Sequence, residues 1–467
     1  MTGSAGRPSP ETIGVVTLAL QRAFGNRCVT SEAVRQQHAH TTTWLENQPP
    51  DIVVFAESAE DVRTVVKLCA EHKVPVIPFG AGSSLEGHLN APRGGVSLDV
   101  SGMKKIIAVH PEDLDCVVEP GVTRKELNDY LRSYGLFFPI DPGADASIGG
   151  MVSTRASGTN AVRYGTMKDN VIALEAVLPN GETITTARRA KKTSAGYDLA
   201  RLLIGAEGTL GVVTKITLKL HGLPEAISAG VCPFPSVKAA ADATIMTIQS
   251  GLPVARIELL DALQVKAVNV YSKLSLPESP LLLLEFHGSE QGVAEQATRF
   301  GDIATEFGGG PFEWATKPED RSRLWQARHD SYWAVSSLRP GIKPFATDVC
   351  VPISHLAACI EETQADIASL GLIAPIVGHV GDGNFHTSVL VDSSSPEEMK
   401  VVKGFLTRLV ERAHRMEGTC TGEHGVGQGK MAYLDAELGT GTLDAMRAIK
   451  RALDPDNIMN PGKIFTL

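Results

Sequence analysis

The stretch Gly378-His379-Val380-Gly381-Asp382-Gly383-Asn384-Phe385-His386 constrains this chain more than any other. Apolar, strand-forming runs flank it: Ala374-Pro375-Ile376-Val377 before and Ser388-Val389-Leu390-Val391 after. Asp382-Gly383 is a strong two-residue hairpin signal, because a type I′ turn needs positive φ at both central positions. A turn there pairs Gly381 with Asn384, Val380 with Phe385 and His379 with His386. Directly opposed side chains have Cβ atoms roughly 4.5–5.5 Å apart, close enough for two imidazoles to clasp one divalent ion. Alternation then places Asn384 and Ser388 on the histidine face, with Val380 and Phe385 on the core face. A plain hairpin with two half-buried histidines is the competing reading, and the metal reading needs a third ligand.

Length leaves room for two or three domains, since 467 residues can bury more than one core. A net charge of −9 argues against a nucleic-acid partner, which calls for a basic field. The seven cysteines (28, 69, 116, 232, 350, 359, 420) are scattered without a C-x-x-C pair, which fits a reducing compartment and offers no zinc ribbon. No run approaches the roughly 18–20 apolar residues of a membrane span, and no secretory signal is evident. The expectation is a cytoplasmic protein, with docking at a membrane surface left open.

Residues 1–45 read as an N-terminal segment with a frayed start and one helix, Thr12–Phe24. Strands follow at 52–55, 74–79, 95–99 and 116–120, with helices opening at Ser58 and Thr123 as N-caps. Asp141 to Gly165 shows little regular pattern. A hairpin spans 170–186 around Pro179-Asn180-Gly181, and Val212–Leu220 alternates as a strand. Past Gly222-Leu223-Pro224 the pattern becomes strand–helix–strand, with strands near 227–232, 255–259, 280–286 and 345–351.

Gly80-Ala81-Gly82-Ser83-Ser84 follows a strand, and its small residues leave backbone N–H groups to form a nest around a pyrophosphate. It is no Rossmann fingerprint, because Leu85 stands where a third glycine would be. A simple turn remains the alternative for this segment alone. Ser147-Ile148-Gly149-Gly150, with Ser157-Gly158 beyond, is a long irregular stretch of the kind justified by wrapping a ligand. Arg163-Tyr164-Gly165 adds a cation and an aromatic face, and Glu207-Gly208-Thr209-Leu210-Gly211-Val212 supplies a third close-approach loop. Three such loops suggest one large, extended cofactor.

Those loops, from Pro78 through Ser84 with Asp141-Pro142-Gly143, Ser147–Met151, Arg163–Gly165 and Glu207–Gly211, closely resemble the FAD-binding domain of the vanillyl-alcohol oxidase (p-cresol methylhydroxylase-type) flavoproteins. His379–His386, Gly422-Glu423-His424-Gly425 and Asn460-Pro461-Gly462-Lys463 resemble the C-terminal half of their D-2-hydroxy-acid dehydrogenase branch. The resemblance implies an α+β protein of two domains: a PCMH-type FAD domain over 46–223, a substrate and metal-binding cap over 224–440, and a C-terminal segment, 441–467, returning to the first. It implies FAD held by the loop residues above and by Asn460. Non-covalent binding is expected, although His88 lies near a position where some relatives attach FAD covalently.

Glu423 supplies the third ligand, giving a set of two histidines and one carboxylate with open positions for substrate. The relatives it resembles carry Zn²⁺ or Mn²⁺ there. A solvated Glu-His loop is the bland alternative for 423–424. His424 suits the base that takes the substrate hydroxyl proton, since imidazole titrates near working pH. Arg328 resembles the arginine that clamps the substrate carboxylate, against the alternative of a surface helix arginine.

Thr347-Asp348-Val349-Cys350-Val351-Pro352 resembles the D-lactate dehydrogenase branch. Ala346 stands where relatives acting on D-2-hydroxyglutarate place a lysine, which favours a small monocarboxylate; Lys343 keeps the larger substrate open. The expected activity is FAD- and metal-dependent oxidation of D-lactate, with electrons passing to a cytochrome, a quinone or an electron-transfer flavoprotein. D-2-hydroxyglutarate dehydrogenase and glycolate oxidase subunit are the near alternatives, and a metal-dependent hydrolase is the distant one. A homodimer is compatible with the sequence.

Overall fold

A computed structural model describes residues 6–40, 44–315 and 318–467. Residues 1–5, at the start of the segment expected to fray, lie outside the described residues. The chain forms two compact units. The first comprises residues up to 157, 166–223 and 423–467; the second comprises 158–165 and 224–422.

The first unit is built on two sheets. In one, Ile52–Phe55, Val96–Asp99 and Val76–Phe79 run parallel, with Cys28–Val29 antiparallel at the edge. Parallel strands need crossover connections, and the helix Ala59–His72 supplies one. That helix starts where the Ser58 hydroxyl accepts the Asp61 amide and stops at Lys73 in the left-handed conformation. Val62, Val65, Val66 and Cys69 turn its buried stripe onto Ile52, Val54, Val96 and Leu98. The other sheet is antiparallel, ordered Ile106–His110, Asp115–Val118, Val212–Lys219, Val171–Val177 and Thr183–Thr185. The expected hairpin around Gly181 is its last pair, and Gly181 takes φ +78°. The C-terminal segment rejoins the first sheet: Val76 N donates to Ile458 O and Asn460 N to Val76 O, both at 2.8 Å.

The second unit carries an eight-stranded antiparallel sheet. Its order is Glu313–Ala315, Ala226–Pro233, Leu281–Gly288, Val254–Leu260, Ile376–Gly378, Asn384–Leu390 and Pro344–Ala346, and Val349–Cys350 pairs separately with Asn384–Leu390. The strand expected over 345–351 is therefore split in two. Helices Val237–Gln249, Glu290–Glu306 and Leu356–Leu370 accompany the sheet. One core packs Leu260, Leu281, Leu283 and Val377 against Val265, Val268, Leu324 and Trp325.

Three expectations are corrected. The Asp141–Gly165 stretch is not irregular throughout, because Ile148–Thr154 is a helix ending at left-handed Arg155. Gly149 faces Pro120 so closely that an added Cβ would lie 2.5 Å from its Cβ, so the glycines permit helix contact and do not signal a loop. The first unit resumes at Glu423, not at residue 441, and residues 158–165 belong to the second unit. The turn at 379–383 is not a two-residue hairpin.

That turn holds one turn of 3₁₀ helix over Val380–Asp382, closed by Gly383 at φ +80°. Val377, not His379, pairs with His386, a register two residues away from expectation. A two-residue shift preserves the faces of a strand, whereas a one-residue slip would exchange them. Val380 and Phe385 are accordingly fully buried. Any Cβ at Gly383 would strike the Val351 carbonyl oxygen, which explains why the longer turn needs glycine there.

Candidate functional site

In the second unit the rings of His379 and His386 meet edge to face with centroids 5.5 Å apart, and both are buried. His379 Nδ1 lies 2.7 Å from Glu258 Oε1, and His386 Nδ1 lies 2.9 Å from the carbonyl oxygen of Thr347. With each Nδ1 so engaged, Nε2 is the nitrogen that would ligate a metal, and a carboxylate or carbonyl behind an imidazole is the usual outer support of such a ligand. Asp348 adds a buried carboxylate 3.7 Å from His386 Nδ1, itself held by the Asn384 amide and the Thr421 hydroxyl at 2.8 Å each. The donor chemistry fits a Zn²⁺- or Mn²⁺-class ion.

Glu258 was not legible as a site residue. It sits in the strand Val254–Leu260, whose register places Leu259 opposite Gly378, so that Glu258 falls beside His379. Arg328, in the last turn of the helix Pro318–His329, is buried and grips the other oxygen of the same carboxylate, Nε at 2.8 Å and an Nη at 2.5 Å. Burial alone would raise the Glu258 carboxyl, but Arg328 and His379 outweigh it and hold it below the ordinary carboxylate range. The surface-helix alternative for Arg328 is therefore set aside.

Tyr164 and Arg163 also lie in the second unit. The Tyr164 hydroxyl is 2.7 Å from His287 Nδ1, and His287 Nε2 is 2.8 Å from Glu285 Oε1. Arg163 donates to the Pro253 carbonyl and covers the Tyr164 ring. Asn160, two residues after Gly158, accepts from Arg256 at 2.9 Å. Gly165 closes this excursion at φ +76°.

In the first unit the loop residues named above converge. Ala81 N donates to the Ser147 hydroxyl at 3.2 Å, joining the Gly80–Ser84 turn to the start of the helix Ile148–Thr154. A Cβ on Gly80 would collide with that hydroxyl, and one on Gly150 would lie 3.1 Å from it. Gly208, at φ +71°, packs so that a Cβ would stand 2.9 Å from Pro78 Cγ. Gly211 faces the Val177 carbonyl just before the strand that opens at Val212. Asn460 Nδ2 donates to the carbonyls of Glu207, at 2.7 Å, and His88, at 3.2 Å. Pro142 and Gly143 lie in the segment between, and Gly143 faces open space. Gly82 turns at φ +72°, Ser83 follows it, and Ser84 Oγ is buried with no hydrogen-bond partner among the described residues. Such a cradle of close backbone and an orphaned hydroxyl fits a phosphate-bearing cofactor.

Glu207 itself is a support. Its two carboxylate oxygens accept the amides of Val426 and Gly427 at 2.7 and 2.8 Å, fixing the loop that carries Glu423 and His424. His88 Nε2 is 3.3 Å from Glu207 Oε2. His424 Nδ1 lies 3.8 Å from Glu86 Oε1, and Lys430 Nζ lies 3.2 Å from the same oxygen. Burial pushes the Glu86 carboxyl up, yet Lys430 and His424 together bring it below its usual range. Glu86 was another residue the sequence did not mark. Lys463 donates to Asn90 O at 2.6 Å, and burial lowers its ammonium to about 7.

Residues 223–464 match the model of the C-terminal domain of FAD-linked oxidases, and residues 50–187 match an FAD-binding domain. A protein of Danio rerio called probable D-lactate dehydrogenase, mitochondrial, is 49% identical over the whole chain and 95% of its own length. The mitochondrial D-lactate dehydrogenase [cytochrome] of Arabidopsis thaliana is 50% identical over 89% of this chain and 73% of its own. Crystalline p-cresol methylhydroxylase with substrate bound shares the fold, with TM-score 0.80 at 18% identity and 99% coverage of both chains.

Proposed function

We propose that this chain, which belongs to the family of FAD-linked oxidases, oxidises D-lactate to pyruvate and passes the electrons to a cytochrome or quinone. Two relatives at 49% and 50% identity carry the name D-lactate dehydrogenase, and that is the observation on which the substrate rests. Flavin chemistry sets aside the hydrolase alternative. No described helix is long and apolar enough to cross a membrane, and both of those relatives are called mitochondrial, so the compartment of this chain stays outside the proposal.

His379, His386 and Glu423 are the proposed ligands of a Zn²⁺ or Mn²⁺ ion, which when bound would polarise the α-hydroxyl. FAD, when bound by Pro78–Ser84, Pro142, Gly143, Ser147, Gly149, Gly150, Ser157, Gly158, Arg163–Gly165, Glu207, Gly208, Gly211, Val212 and Asn460, supplies the two-electron acceptor. His424 takes the hydroxyl proton at an imidazole nitrogen. Arg328 faces the substrate carboxylate with the part of its guanidinium that Glu258 leaves over, which fixes orientation by charge and planarity. The α-hydrogen leaves as hydride, carrying both electrons, and the hydroxyl gives up its proton to His424; loss of that hydride and that proton leaves the ketone.

Ala346 ends the short strand Pro344–Ala346, one residue before the Thr347 carbonyl that holds His386. Its side chain offers no charge for a second carboxylate, and Lys343 is exposed at the far end of that strand. This supports a small monocarboxylate. Anaerobic mixing of the flavin-loaded protein with D-lactate should bleach the flavin absorbance within the dead time to seconds, with L-lactate inert. Faster bleaching by D-2-hydroxyglutarate or glycolate would replace D-lactate as the substrate, and no bleaching by any of them would overturn the reading.

A further inference from the structure

Glu258 stands between two groups that sequence reasoning treats separately. One carboxylate oxygen engages the Nδ1 of His379 and the other engages Arg328 twice. The carboxylate is fully buried, in mid-strand, so water does not replace a lost partner. Each oxygen faces donors: an imidazole N–H on one side and a guanidinium fork on the other. We propose that Glu258 is a positioning residue with a double role, fixing the His379 tautomer that presents Nε2 to the metal and aiming Arg328 at the substrate carboxylate. The proposal rests on the metal reading given above.

The physical reason lies in what a buried carboxylate requires. An ionised carboxylate in this place is stable only while both cationic or polarised donors face it. Conversely, a guanidinium held at two of its nitrogens by a fixed carboxylate has one orientation for the remaining nitrogen. Metal affinity and substrate alignment are thereby set by the same two oxygen atoms, one apiece.

Glu258→Gln tests this with three readouts on the full-length, flavin-loaded protein: zinc affinity by competition with a chromophoric chelator, KM for D-lactate, and flavin content. A carboxamide carries no charge and puts an NH₂ where one of the two donors points, so one contact fails and the other loses its charge assistance. Zinc affinity is expected to fall roughly 10–100-fold, the usual consequence of losing an outer-shell partner. KM should rise roughly tenfold, as for one lost charge-assisted hydrogen bond, and stay raised when excess zinc refills the site. Flavin content should not change. Native zinc affinity together with native KM would overturn the proposal. His386→Ala, measured alongside, separates the two readings: if it keeps zinc the metal reading itself fails, and if it loses zinc while Glu258→Gln keeps both native zinc affinity and native KM only the role of Glu258 fails. Should Glu258→Gln not fold, Glu258→Asp decides the matter. Retaining charge at shorter reach, it should shift both quantities in the same direction by smaller factors, and native values of both would overturn the proposal.

Discussion

His386 leans its Nδ1 on the carbonyl oxygen of Thr347 at 2.9 Å, so a backbone atom of the neighbouring short segment dictates the orientation of the ring. This side chain is the one whose removal most cleanly separates metal from flavin. His386→Ala should lose bound zinc or manganese and roughly 10²–10³-fold of turnover, the scale of deleting one strong electrostatic contributor, while the flavin-to-protein absorbance ratio stays native. Metal analysis after dialysis checks the first effect and the visible spectrum the second. Full turnover in this variant would refute the metal role of the stretch.

Arg328→Lys keeps a positive charge against Glu258 but removes the planar fork. KM for D-lactate should rise about 10–100-fold, equivalent to ~1.5–3 kcal/mol for hydrogen bonds to a charged group, with a smaller fall in kcat. Steady-state kinetics with a dye acceptor measure both. An unchanged KM would remove Arg328 from the substrate site.

Gly208→Ala introduces strain at φ +71° and a Cβ 2.9 Å from Pro78 Cγ. The left-handed conformation alone costs an alanine about 1–2 kcal/mol, and the contact adds to it. The purified variant should carry less flavin and melt several degrees lower, by calorimetry. Native flavin content would place Gly208 outside the cofactor cradle.

Flavin should separate from the protein in acid. His88 Nε2, one of the two ring nitrogens through which a covalent bond would form, lies 3.3 Å from the Glu207 carboxylate. Trichloroacetic acid precipitation should leave the yellow colour in the supernatant. Colour retained in the pellet would establish a covalent bond.

Stability should carry a pH signature from Asp261. Burial raises this carboxyl to about 7, even though it accepts the Gln264 amide as N-cap of the helix Ala262–Ser272. Between the unfolded value near 4 and the folded value near 7, the native state holds a proton that the unfolded state has lost. Stability from this group therefore falls as pH rises through that window and stays low above it. Asp261→Asn keeps the cap without the charge, because asparagine caps about as well as aspartate. It should leave the melting temperature unchanged near pH 4 and raise it at pH 8. A variant no more stable than the parent at pH 8 would show that the carboxylate is better accommodated than its burial implies.

Strands with clear alternation and helices with a Ser or Thr cap were legible in the sequence: Ile52–Phe55, the helix after Ser58 and the strand from Val212 fall where expected. The glycine loops were legible as places of close approach, but not the helix within one of them, because Gly149 and Gly150 read as breakers when their real constraint is contact with Pro120 and Ser147. The turn at Asp382-Gly383 was misread by two residues, since a two-residue loop and a 3₁₀ turn closed by glycine share the same dipeptide. Glu258 and Glu86 escaped because their meaning comes from partners 121 and 70 residues away for one, and more than 300 for the other. A signal existed for Glu258: Arg256 and Glu258 alternate within an otherwise apolar strand that the sheet buries.

The interleaving of the two units has a bearing on synthesis. Everything the second unit contains has been polymerised once residue 422 is made, including residues 158–165, whose Asn160 and Tyr164 meet Arg256 and His287. The first unit must wait longer, because Ile458 and Asn460 complete the hydrogen bonding of Val76 and are translated after residue 422. The loops of the first unit stay incomplete until residues 458–460 are made, and a released chain truncated after residue 440 should have a closed second unit but no capacity to retain flavin.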